Sequence, residues 1–364
     1  MKLLYITNGL NGSGGLERVL SIKASYLAEK MGYEVHIVCL NDSHLHLFYD
    51  FSSKINLHSI SVSGNPVSYI KSYVSGLNKL VSQLNPNVIL VCDDGLKAFF
   101  LPLLIKSNAK MVYERHVSKT ISIGKNAGFL KRTATKFQFF LMNILSKKYD
   151  KFVVLTNENR KEWPLQNLEV ISNPLSFYPE ASASLTAKKV IAVGKQSHQK
   201  GYDLLLQAWQ KVVAQQPDWQ LEIYGKKEPL EGLEAKAVSL EIASNVHFFD
   251  PVKNIEVNYL ESSIYVMSSR YEGFGMVLIE AMACGVPCVS FDCPYGPSDI
   301  IDDGVDGFLV ANGDVDLLAQ KLVLLIEDDA LRTKMGNNAK VTVKRFLPET
   351  ICNQWDTLFK SLVS

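Results

Sequence analysis

The sequence has no apolar run approaching twenty residues, no excess of either charge and no paired-cysteine motif, and each absence closes off a class of protein. Without such a run, no segment reads as a bilayer-spanning helix, so any membrane contact is expected to be peripheral. Lys and Arg number 38 against 37 Asp and Glu, so nothing draws the whole chain to nucleic acid or to acidic surfaces, and nucleic acid is not an expected partner. Six cysteines stand at 39, 92, 284, 288, 293 and 352 with no Cys-x-x-Cys and no histidine among them. That spacing fits no zinc pattern and reads as reduced, buried thiols of a cytoplasmic protein. The opening "MKLLYITNGL" is interrupted at Thr7, Asn8 and Gly9 and reads as a first strand rather than a secretory signal. The glycines of "NGLNGSGGLERVL" are out of register for GxGxxG, which argues against a dinucleotide site. The acid pairs at 93–94 and 302–303 lack Asp-x-Asp spacing, and no metal is expected.

What is present is alternation. "KLLYIT", "EVHIVCL", "NVILVC", "KMVYE" and "DKFVVLT" are short apolar strands, and helical patterns such as "LERVLSIKASYLAEK" and "SYIKSYVSGLNKLVSQLN" lie between them. "LEVISNPLSFYPEASASL" breaks the rhythm with Asn-Pro and small residues, and reads as an interdomain linker. The rhythm then restarts with "KKVIAVG", "WQLEIYG", "NVHFFD", "SSIYVMSS", "PCVSFD" and "GFLV". Strands separated by helices argue for parallel sheets, and two such runs for two Rossmann-like α/β domains. The expected bounds are 1–172 and 173–346, with a final helix, 347–364, returning to the first domain.

The most informative stretch is "SRYEGFGMVLIEAMACGVPCVS", residues 269–290. It places Glu272 and Glu280 on either side of Gly273, Phe274, Gly275, Met276 and Val277. In an open parallel sheet, ligands bind outside the C-terminal strand ends. A helix starting near Gly275 or Met276 and stopping at Gly285 would present first-turn amides and its dipole to a phosphate. Carboxylates beside a phosphate site suit sugar hydroxyls instead, so the pattern points to a nucleotide sugar. From spacing alone, Glu272 reads equally as a solvated loop acid and Glu280 as a satisfied polar residue.

This stretch, followed by "GPSDIIDDGVDGFLV", resembles the family-4 retaining glycosyltransferases, and the resemblance runs along nearly the whole chain, most strongly from Val190 to Val310. It implies a GT-B fold, with two Rossmann-like domains facing across a cleft, the first on the acceptor side and the second binding the nucleotide sugar. It also implies that Glu272 contacts the donor sugar and Glu280 the ribose. In "VGKQSHQKGYDLLLQAW", Lys195 and Lys200 match the basic positions that hold the donor diphosphate. The family has Arg at the first, and Lys keeps the charge but loses the bidentate fork. Gly14 and Gly15 match the loop facing the donor phosphate, with Glu17 and Arg18 on the acceptor side. In "VYERHVS", His116 matches a histidine near the donor sugar, and Arg115 competes for the same task. Val117 stands where Asp or Asn is common. Ser298 is an expected N-cap in "GPSDII". Lys227 and Asp250 replace glycines of the region that seats the base.

The resemblance implies transfer of a hexose or N-acetylhexosamine, with retention, from a nucleotide diphosphate sugar, UDP being the expected nucleotide. The acceptor would be a sugar or lipid-linked saccharide in glycan biosynthesis, with no cofactor or metal. Among the proposed catalytic groups are Glu272, His116, Lys200 and Lys195. A nucleotide-sugar epimerase and a non-catalytic nucleotide-sugar binder share this architecture. Acceptor-dependent turnover separates the three. The segment 119–151 carries many basic residues, one acid (Asp150) and Phe129, Phe137, Phe139 and Phe140. It reads either as a solvated helical face or as a contact with the inner face of the membrane.

Overall fold

The computed structural model describes residues 1–12, 14–119 and 129–364, the side chains of 129–132 excepted. It divides into two compact units, Met1–Ser176 with Pro348–Ser364, and Phe177–Leu347.

Unit 1 holds a seven-stranded sheet: β1 (Lys2–Ile6), β2 (Glu34–Leu40), β3 (Asn56–Ile60), β4 (Val88–Val91), β5 (Lys110–Glu114), β6 (Lys151–Val154) and β7 (Leu168–Val170). The order is β3-β2-β1-β4-β5-β6-β7 and every pairing is parallel. The central strands read as unbroken apolar runs because both faces are covered. Leu4, Ile6, Ile89, Val91 and Tyr113 pack into one buried cluster with Tyr73 and Leu77 of the helix Pro66–Leu84. That helix starts where Asn65 accepts from the amides of Val67 and Ser68, and stops at Asn85 in the left-handed region. The opposite face is covered by the helices Gly15–Glu29 and Pro348–Val363, which pack on each other. The C-terminal helix buries Ile351, Cys352, Trp355, Leu358 and Phe359, the apolar stripe of its sequence.

Unit 2 holds β8 (Lys189–Val193), β9 (Gln220–Tyr224), β10 (Val246–Phe249), β11 (Ile264–Met267), β12 (Cys288–Asp292) and β13 (Gly307–Ala311), in the parallel order β10-β9-β8-β11-β12-β13. In each unit the strand order reverses once, between β1 and β4 and between β8 and β11. Those switch points open a crevice at the strand C-termini, and they decide where each site can form.

Two expectations need correction, and one strand was missing from them. β7 lies inside the stretch read as linker: three edge residues are too short for a periodic signal. β3 was not legible as a strand, because its "NLHSI" carries polar residues that an edge position leaves half exposed. Ser298 is not a cap: the helix Pro297–Ile300 has its cap position two residues earlier, at Gly296, with no side-chain cap.

Candidate active site

In unit 2 the candidate residues come from the loops after β8 and β11, the two strands of its switch point. β8 ends at Val193, and the chain turns through Lys195 to Lys200 before the helix Tyr202–Val213. The Lys-Gly step at its start has a geometric reason. Gly201 has φ +63°, and a Cβ there would collide with the carbonyl oxygen of Ser268 at the end of β11. Only glycine lets these two loops touch. Further bonds hold the contact: Ser268 Oγ donates to Lys200 O (2.9 Å), the Arg270 amide donates to Gln199 O (2.8 Å), and Arg270 grips Asp203 through both nitrogens at 2.8 and 2.7 Å.

This locking brings Lys200 to Glu272. The ammonium lies 2.6 Å from Glu272 Oε1, which also accepts from Ser269 Oγ at 2.6 Å. The Glu272 amide donates to Pro294 O (2.8 Å). Glu272 is therefore buried and paired, not a solvated loop acid. Their own burial pushes the thiol of Cys293 and the hydroxyl of Tyr202 upward, and the Glu272 charge adds to the rise.

Past Glu272 the chain makes the turn Gly273–Phe274, with Phe274 buried edge-on against Phe346. Gly275 takes φ +104° as the cap of the helix Met276–Ala283, and Gly285 at φ +73° follows its end. The first-turn amides at Met276 and Val277 precede any i−4 carbonyl of the helix and face outward from its positive end. Glu280 sits one turn in, fully buried, with the Tyr259 hydroxyl 3.4 Å from Oε2. Lys195 is more exposed and pairs with Glu228 at 2.7 Å. Lys227 pairs with Glu234 on the same side of the unit (2.7 Å).

In unit 1 the residues after β1, β4 and β5 converge at the other switch point. Asn8 donates to Asp93 Oδ1 (2.8 Å) and accepts from Lys97 Nζ (2.6 Å). Arg115 is buried and tied up: it donates to Val117 O (2.7 Å) and Asp94 O (3.0 Å), with Asp94 Oδ1 at 3.2 Å. Burial pushes the Asp94 carboxyl up against the pull of Arg115 and His116. Arg115 thus braces the loop on which His116 stands, and the His116 amide donates to Asp94 Oδ1 at 3.3 Å. Gly14 and Gly15 open the helix Gly15–Glu29, with Glu17 folded back so that its Oε2 would lie 2.7 Å from a Cβ on Gly14. Arg18 lies over the Tyr49 ring at 5.7 Å.

Sequence reasoning missed Asn8, the Asp93 and Asp94 pair as strand-end groups, Arg270 with Asp203, and Lys23 with Glu114. Lys23 left a signal: it falls on the apolar stripe of Leu16, Val19, Leu20 and Leu27, where a lysine needs a partner. The six cysteines are free and buried.

The family described as "Glycosyl transferases group 1" matches residues 178–342, and "Glycosyl transferase 4-like" matches 16–154. An "Uncharacterized glycosyltransferase" of Haemophilus influenzae is 29% identical over 97% of this chain and 98% of its own length. The "Amylovoran biosynthesis glycosyltransferase AmsD" of Erwinia amylovora is 28% identical over 98% of this chain and 99% of its own. The crystal structure of Anabaena HepE in complex with UDP and glucose matches with a TM-score of 0.80 at 17% identity, covering 99% of this chain and all of that one. With two parallel-sheet Rossmann-like units and family matches along most of its length, the chain belongs to the family-4 glycosyltransferases of GT-B fold.

Proposed function

We propose that this glycosyltransferase moves a hexosyl or N-acetylhexosaminyl group from UDP-sugar to a hydroxyl of a sugar or lipid-linked saccharide, with retention and without a metal. The observation that carries the reading is the Lys200–Glu272 pair at the open end of the helix Met276–Ala283, with Glu280 one turn behind it. A relative named for amylovoran biosynthesis and a structural neighbour in complex with UDP and glucose support the substrate class.

In this reading the donor diphosphate lies against the first-turn amides, Lys200 and Lys195. Glu272 accepts from a donor-sugar hydroxyl and Glu280 from the ribose, and His116 contacts the sugar. The bond between the anomeric carbon and the diphosphate oxygen breaks, and its electron pair leaves on the diphosphate. The acceptor oxygen bonds the same carbon from the same face, and its proton passes to the leaving phosphate oxygen. Lys200 and the helix amides lower the barrier only insofar as they bind the departing diphosphate more tightly than the intact donor.

The test is transfer from UDP-, GDP- and ADP-sugars to a saccharide acceptor, with the product anomer read by NMR and with chelator present. Acceptor-dependent, retaining, chelator-insensitive transfer is expected. An inverted product, or activity abolished by chelation and restored by a divalent ion, would overturn the corresponding part.

Membrane contact enters the proposal through the helix Phe129–Leu145. Phe137 and Phe140 are 61% and 59% exposed, Ile144 lies on the same face, and Lys136, Lys147 and Lys148 are exposed nearby. Lys119 leaves that patch: it is buried, donates to Asn143 Oδ1 (2.6 Å) and Glu162 O (2.8 Å), and burial brings its ammonium down to about 8. Residues 120–128 of the basic segment lie outside the described residues. Among the described residues no helix is long and apolar enough to cross a membrane. Salt-sensitive sedimentation with anionic liposomes is expected, and its absence at low salt would remove the membrane from the proposal.

A further inference from the structure

Beneath the strand ends of unit 1 lies a second lysine–glutamate pair that the reading above does not use. Lys23 is fully buried on the helix Gly15–Glu29, and its ammonium contacts both oxygens of Glu114, the last residue of β5. The Trp355 ring of the C-terminal helix covers the ammonium at 4.1 Å, with Tyr5 at 5.4 Å on another side. Cys92 Sγ donates to Glu114 Oε2 at 3.2 Å. Two charges sealed from water are poor stabilisers, since an apolar pair of the same volume serves as well or better. The pair calls for another reason.

That reason lies two residues along. His116 Nε2 is buried and has no hydrogen-bond partner among the described residues, and Glu114 Oε1, 3.4 Å away, lies within ion-pair distance of it. Burial alone would raise the Glu114 carboxyl, but Lys23 and His116 outweigh it and hold the group well below the usual carboxylate range. A carboxylate ionised at neutral pH and facing Nε2 selects the imidazole tautomer that carries its proton there, leaving Nδ1 for whatever lies on the other side of the ring. Cys92, Glu114 and His116 are also the one trio of ligand-type side chains this close among the described residues. The Lys23 ammonium already sits on both Glu114 oxygens where a metal would bind.

We propose that Glu114, paired with Lys23 and covered by Trp355, is a positioning residue for His116, fixing its ring and tautomer so that Nδ1 is the atom presented to the donor. The inference rests on the reading that His116 contacts the donor sugar.

Two measurements test it. Long-range nitrogen–proton NMR of the full chain is expected to show His116 as the Nε2–H tautomer in the wild type. Lys23→Met with Glu114→Gln, which removes both charges at nearly constant volume, should turn it into a mixture. An Nδ1–H tautomer in the wild type overturns the proposal with no variant needed. An unchanged tautomer in a folded double variant also overturns it. For transfer, the double variant should lose at least about tenfold in kcat, with donor KM within about twofold, and lose nothing further in a His116→Ala background. An equal loss in both backgrounds would make the pair merely structural and overturn the proposal. His116→Ala with wild-type turnover would fail the reading of His116 itself, a result distinguishable because the tautomer measurement stands apart from activity.

Discussion

The two units each place a lysine beside a glutamate at a strand end, and the two pairs differ in what surrounds them. Lys200 and Glu272 keep 16% and 8% of their side chains exposed, while Lys23 and Glu114 keep 0% and 2%. The first pair stands on loops at the open end of a helix, and its neighbours are a serine hydroxyl and backbone groups. The second is roofed by an indole and a phenol. A pair at the rim can separate, each charge turning to a ligand as it binds. A pair under an aromatic roof has no second partner to turn to, so it can act only through what it already touches. The same two residue types thus make a binding element in one unit and a fixed electrostatic support in the other.

The largest effect expected from breaking this contrast is on stability. Glu114→Ala or Lys23→Ala leaves one charge buried and unpaired, which costs about 3–5 kcal/mol. Denaturant unfolding should show that loss, whereas the rim variant Glu272→Gln should lose far less. Acid should separate the pairs too. The folded-state Glu114 carboxyl lies below its unfolded value, so the folded protein binds fewer protons there than the unfolded chain. Its stabilisation is complete above the ordinary carboxylate range, about 4.3, and fades as pH falls below it. The stability of the wild type relative to the variant carrying Lys23→Met with Glu114→Gln should therefore fall as pH drops from about 5 toward 2. Parallel curves over that window would show that Glu114 titrates normally.

This division was only half legible in the sequence. The rim pair stood in a long specific segment, and the helix that follows begins and ends within a residue of where its glycines place it. That Lys200 would meet Glu272 was not legible, because the contact depends on a loop touching the end of a strand far along the chain, through Gly201 against Ser268. The sealed pair was less legible still. Lys23 and Glu114 lie on different elements, and Trp355 arrives from the far end of the chain. The parallel strands were plain because burial on both faces makes them unbroken apolar runs. The edge strands β3 and β7 were not, because an edge needs no such run.

The next effect separates the two acids of the second unit. Glu272→Gln should leave nucleotide affinity nearly intact and cut kcat/KM at least about tenfold, since about 1.4 kcal/mol is a factor of ten and a bond to a charged acceptor is worth about 1.5–3 kcal/mol. Glu280→Gln should weaken binding of the nucleotide itself. Calorimetry of nucleoside diphosphate binding, paired with steady-state transfer, reads both. Wild-type turnover in the first variant, or wild-type affinity in the second, would show that the acids do not share the donor in this way.

The smallest effects sort the two rim lysines. Lys200→Ala should weaken nucleoside diphosphate binding much more than nucleoside binding, and an equal loss for both would remove Lys200 from the diphosphate. Lys195 should do the same job less well. Its ammonium is more than half exposed and already pairs with Glu228 at 2.7 Å, and exposed ion pairs are worth about 0–1 kcal/mol. Lys195→Ala should therefore lower diphosphate affinity by less than about fivefold, and the loss should shrink as salt rises toward 0.5 M, because solvent-exposed charges are screened. The Lys200 effect should persist at high salt, since its ammonium is mostly buried against Glu272. Affinities of both variants for the nucleoside diphosphate, measured at low and high salt, decide the point. A Lys195 loss as large and as salt-resistant as that of Lys200 would mean that the exposed lysine, not the half-sealed one, holds the diphosphate.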